Sequence, residues 1–61
     1  MKMLLIKSCR DTMMWYRDKV GEYVPYLATF NDCYMSREPA GYSNIVKLED
    51  AEIVELEAVH E

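Results

Sequence analysis

Two lysines bracket the first apolar run, Met3-Leu4-Leu5-Ile6, between Lys2 and Lys7. An unbroken run this short suits a strand with both faces partly covered better than a helix. The segment Ser8-Cys9-Arg10-Asp11-Thr12 then turns polar, which favours irregular backbone and local side-chain hydrogen bonds. Met13-Met14-Trp15-Tyr16 follows, and side chains this large in direct succession cannot all point into one core. The pattern predicts a long, partly ordered loop whose Trp15 and Tyr16 fold over the edge of a sheet, with a helical turn capped by Asp11 or Thr12 as the other option.

Val20 to Leu27 reads as a second strand. Gly21 marks a bulge or turn, and Pro25, which has no N–H, places the strand at an edge or makes it bulge. Asn31-Asp32 supplies a hairpin turn into a third strand, Cys33 to Arg37. Pro39 and Gly41 make the next turn. Tyr42, Ile45 and Val46 are strand formers, with Ile45 and Val46 assigned to the core and Arg37 and Tyr42 left to face outward. Lys47 to Asp50 suits a single helical turn. Ala51 to Leu56 mixes helix formers with Ile53-Val54, and on a helix its apolar residues scatter around the cylinder, so a last strand is expected. The whole describes a mainly β domain over residues 1–56, a small five-stranded SH3-like barrel with one helical turn before the last strand. Residues 57–61 form a frayed or helical tail. An α+β fold with a C-terminal helix is the alternative.

At 61 residues the chain makes one domain, and 51% hydrophobic content allows a small core that self-association would reinforce. Cys9 and Cys33 lie far apart with no Cys/His cluster around them, so neither a zinc site nor any other cofactor is expected. The net charge of −4 argues against non-specific nucleic-acid binding. No stretch is long enough to span a membrane and no signal peptide is recognisable, which points to a cytoplasmic protein. Catalysis is not expected either. The one histidine, His60, stands in the tail, away from any nucleophile, and the acids near Glu49/Asp50 and Glu55/Glu57 read as solvated charge.

The succession Trp15-Tyr16, Val20-Gly21-Glu22, Gly41-Tyr42-Ser43-Asn44-Ile45-Val46 and Glu49-Asp50-Ala51 resembles a group of very short proteins of bacteriophages and prophages. The resemblance runs from about Ile6 to Val54 and carries no agreed activity. It implies an accessory binding module in the bacterial host cytoplasm that inhibits or modulates a host protein or defence complex. The Gly-Tyr…Val segment is also similar to SH3-like domains, which are mostly binding modules. The acidic first-loop cluster of their peptide-binding kind is missing here, with Asp11 and Asp18 only loosely in its place, which argues against proline-rich ligands.

Candidate partner-binding residues are the aromatics Trp15, Tyr16, Tyr34 and Tyr42 with Arg17 and Arg37 at their margin, a composition suited to a protein interface or a homodimer. The same aromatics with Arg10, Arg17 or Arg37 could instead hold a small nucleotide by stacking and bidentate phosphate contacts. A third option is an acidic mimic of DNA built on Glu49, Asp50, Glu52, Glu55, Glu57 and Glu61, although runs of charge are more often solvated faces.

Overall fold

Pleat alternation sets the first strand of the computed structural model, which describes residues 1–56. Six strands form in the order β1 (Lys2–Ile6), β2 (Tyr23–Pro25), β3 (Ala28–Thr29), β4 (Cys33–Arg37), β5 (Ser43–Lys47) and β6 (Ala51–Glu55), with a 3-10 turn over Leu48–Asp50 before the last. Along β1, Leu4 and Ile6 are fully buried while Met3 and Leu5 stay half-buried on the opposite face. That parity, repeated on the neighbours, makes the inner layer of the first sheet. Its order is β2-β1-β6, all antiparallel, with Leu4 opposite both Val24 and Ile53.

The second sheet runs β3-β4-β5, also antiparallel. Tyr34 pairs with Val46 and Ser36 with Asn44 on its inner face. Met35 and Ile45 pair on the outer one. Leu4, Ile6, Tyr16, Val24, Val46 and Ala51 form the buried core between the sheets, and burying each large aliphatic side chain contributes about 1.5–3 kcal/mol.

The mainly β reading and the helical turn before the last strand hold. The closed five-stranded barrel does not: the strands divide into two three-stranded sheets. The expected second strand, 20–27, is shortened and broken. Gly21 takes a positive φ of 89°, which ends the preceding loop rather than starting a strand. Beyond Pro25 the chain bends at Tyr26-Leu27, where the Leu27 N–H donates to the Met35 carbonyl at 2.9 Å and the chain joins the second sheet. Ser36 Oγ donates to the Pro25 carbonyl at 2.6 Å and ties the two sheets at the break.

The stretch with mixed propensity after the 3-10 turn is strand over Ala51–Glu55, so the α+β alternative fails there, and the expected tail at 57–61 lies outside the described residues. Ile45 does not enter the core beside Val46. Successive strand residues face opposite ways, and with Val46 fully buried, Ile45 is left on the exposed face. No helix among the described residues is long and apolar enough to cross a membrane.

Candidate functional site

Residues 7–22 connect β1 to β2 as a chain of tight turns. The N–H groups of Met14, Arg17, Lys19 and Glu22 each donate to the carbonyl three residues earlier, and Asp11 Oδ1 accepts from the Met13 N–H at 2.9 Å. Asp11 thus starts these turns; it is one of the two caps, with Thr12, that the sequence offers for a helical turn, and the segment forms separate turns without a helix. Ile6 exchanges backbone hydrogen bonds with Gly21 and Glu22, closing the loop at its base. A loop held at both ends can carry large side chains in fixed positions, and this one places Trp15 and Tyr16.

Tyr16 goes inward and is fully buried. Its hydroxyl donates to Asp50 Oδ2 and accepts from the Lys47 N–H at 3.3 Å. Asp50 is itself buried in the 3-10 turn, where Oδ1 accepts from Ser8 Oγ at 3.1 Å and its carbonyl accepts from the N–H groups of Lys7 and Ser8. Burial, and then the hydrogen bond to Asp50, hold the Tyr16 phenol well above its ordinary pKa. Cys9 packs against this cluster, and burial together with the charges of Asp50 and Asp11 raises its thiol pKa, which disfavours the thiolate. The loop, the end of β5 and the 3-10 turn are thus joined through one hydroxyl and one carboxyl group.

Trp15 stays half-buried at the surface and stands edge-on to Tyr16, with ring centroids 5.6 Å apart. Its Nε1–H donates to the Ile45 carbonyl at 2.8 Å, on the outer edge of β5. Trp15 also lines a shallow groove of about 200 Å³ with Tyr23, Val24, Pro25 and Pro39. Lys19 and Arg37 supply positive charge to this groove, and Glu22 and Glu38 supply negative charge. Glu38 is engaged from below, accepting from Asn44 Nδ2 at 2.6 Å. Arg37 Nη1 donates to the Gly41 carbonyl at 3.1 Å, and Tyr42, which follows Gly41 on the β4–β5 turn, is 71% exposed and does not line the groove.

Of the residues singled out from sequence, Trp15 and Arg37 meet in the groove, and Tyr42 is exposed on the β4–β5 turn outside its lining. Tyr16 cannot offer its ring to a partner, because the hydroxyl that would solvate it is satisfied inside by Asp50. Tyr34 packs inward beside Tyr26, its ring edge-on with centroids 6.3 Å apart, and lines no described depression. Arg17 is exposed on the loop and donates to the Met14 carbonyl. Sequence reasoning missed Tyr23, Pro25, Lys19 and Pro39 as groove residues. In the sequence Pro25 and Pro39 act only as backbone devices, and nothing in the local pattern shows that two distant turns meet.

A second, wider depression of about 790 Å³ is lined by Asn31, Asp32, Cys33, Ile45, Lys47, Leu48 and Glu49. Arg10 and Arg17 line neither depression. The acids expected to be solvated divide among different environments: Asp50 is buried, Glu52 lies 3.7 Å from Lys7 Nζ, and Glu55 pairs with the Met1 amine at 2.6 Å. Among the described residues no group of three His, Cys, Asp or Glu side chains could hold a metal ion. Comparison with protein-family models, curated protein sequences and solved structures returned no match for this chain.

Proposed function

We propose that this chain is a non-enzymatic protein-binding module of SH3-like architecture whose groove between the 7–22 loop and the β4–β5 turn receives an extended segment of another protein. The observation that carries the reading is the meeting of Trp15, Tyr23, Pro25 and Pro39 in one apolar trough, with Arg37 and Lys19 and the acids Glu22 and Glu38 also lining it. Interfaces favour aromatic and arginine anchors of this kind around a desolvated centre. An apolar side chain of the partner fits the trough, and an acidic group beside it fits Arg37, with Tyr42 adding contact area. The strand order, the long first loop and the 3-10 turn before β6 support the SH3-like assignment, with β2 and β3 as one bent strand shared by both sheets. The likeness to short phage proteins supports a bacterial partner, an enzyme or defence complex that docking inhibits or modulates.

The nucleotide reading has less support, since of its three arginines only Arg37 lines a depression. The DNA-mimic reading has less still, with Asp50 internal and Glu52 and Glu55 each beside a cation. Affinity capture from bacterial lysate, quantified by mass spectrometry, tests the proposal with wild type and Arg37→Glu in parallel. One stoichiometric partner retained by wild type and lost by Arg37→Glu is the expected outcome. Equal capture by both proteins, or purified wild type carrying a nucleotide released on denaturation, would overturn it.

A further inference from the structure

An antiparallel sheet must dispose of its edges, because an unpaired edge is a template for another strand. Three of the four edges here are blunted. Trp15, Tyr16 and Asn44 occupy the outer edge of β5 at the Ile45 carbonyl, the Lys47 N–H and the Ile45 N–H respectively. β3 has only Ala28 and Thr29 to offer. β2 is three residues long, ends in Pro25, which has no N–H, and has its Pro25 carbonyl taken by Ser36. β6, five residues long and without proline, has no such cover among the described residues.

The hydrogen-bonding parity of β6 follows from the pair just beyond its C-terminal end. Met1 and Leu56 exchange both backbone bonds, so in this register Met3–Val54 and Leu5–Glu52 are also bonded pairs. The intervening residues therefore direct their groups away from β1: Ile53 and Glu55 present both N–H and carbonyl, and Ala51 its carbonyl. Ile53 is 40% exposed on the core-side parity, where a neighbouring strand would cover it.

We infer that β6 is a self-pairing edge, joining a second copy of this chain antiparallel about a two-fold axis at Ile53. In that register Ile53 faces Ile53, Ala51 faces Glu55 and Glu52 faces Val54. No two acids stand directly opposite each other. Shifting the register by two residues toward the N-terminus puts Glu52 against Glu52, a like-charge opposition that destabilises a ladder. The two acids nearest the seam are each already beside a cation, Glu52 beside Lys7 and Glu55 beside the Met1 amine. A basic peptide partner is therefore not required to neutralise them. The product is a six-stranded sheet with Ile53 at its centre. This surface is separate from the groove, and its seam is small, so the dimer is a weak one.

Amide hydrogen exchange of wild type over a dilution series, run with sedimentation, tests the pairing. The N–H groups of Ile53 and Glu55 become protected as concentration rises, in step with dimer formation. Those of Glu52 and Val54, already bonded to β1, change little. Ile53→Lys places two ammonium groups together at the axis and weakens association about tenfold or more, and the concentration dependence of the unfolding midpoint is lost with it. Should Ile53→Lys fail to fold, the wild-type exchange data decide alone. A wild type that stays monomeric, or a dimer in which the Ile53 and Glu55 amides exchange as freely as in the monomer, would overturn the inference. Protection of those amides only on adding another protein would also overturn it, in favour of a heterologous strand.

Discussion

Tyr16 shows how much of a small fold can depend on one atom. Its hydroxyl satisfies Asp50 and the Lys47 N–H in a region closed to water, and an unmet buried acceptor costs far more than an average hydrogen bond gains. Tyr16→Phe keeps the ring volume and removes only the oxygen. Chemical denaturation should show a loss of about 1–3 kcal/mol, and exchange of the Lys47 amide should accelerate. The same group sets a basic limit on stability. Folding retains the neutral phenol, whereas the unfolded chain releases its proton near pH 10, the ordinary tyrosine value. This contribution is thus complete below about pH 10 and is lost as pH rises further, because the native state then binds more protons than the unfolded one. Base titration of wild type against Tyr16→Phe should show the decline in wild type and a shallower one in the variant. The sequence carried only the aromatic identity of Tyr16. Its partner, Asp50, lies thirty-four residues along the chain, and acids in an acidic stretch ordinarily read as solvated.

At the scale of elements, the turn chemistry and the strands it flanks were the most legible part. Asn31-Asp32 lies in the hairpin that the Phe30 N–H closes on the Cys33 carbonyl at 2.8 Å, and Asp11 starts the turns of the first loop. Trp15 and Tyr16 cover a sheet edge, as their crowding in sequence suggested. Less legible was the split at Tyr26-Leu27, because large apolar residues continue from Tyr23 to Leu27 across a bend that only the pairing with Met35 defines. Gly41 carries the other turn, with φ at 102°, a value side-chain-bearing residues rarely adopt, and with no atom near where a Cβ would stand. Gly41→Val should therefore cost about 1–3 kcal/mol from backbone strain alone, read as a lower denaturation midpoint. Because that turn seats Arg37 on the Gly41 carbonyl, partner binding should weaken with it.

Across the whole molecule, the two sheets and the loop bring together the residues of the proposed docking groove, which the sequence shows only in part. Trp15, Arg37 and Tyr42 were identified from residue type, whereas the trough that unites Trp15 with Pro25 and Pro39 arises from three segments folding together. Tyr42, mostly in solvent, should tolerate alanine with stability changed by no more than about 0.5 kcal/mol, so any loss of binding in Tyr42→Ala reports contact. The pairing of Glu55 with the Met1 amine adds a modest acid limit. The Met1 amine, by hydrogen bond and by charge, holds the Glu55 carboxyl below its usual range. That stabilisation is present above the ordinary carboxylate pKa and is lost as pH falls through the lowered native one. Acetylating the Met1 amine should flatten this part of an acid denaturation curve. The most direct test of the docking groove is calorimetry of the captured partner with wild type and with Arg37→Glu. The groove predicts at least about tenfold weaker binding, roughly 1.4 kcal/mol, at an unchanged unfolding midpoint. Equal affinity for the two proteins would contradict it.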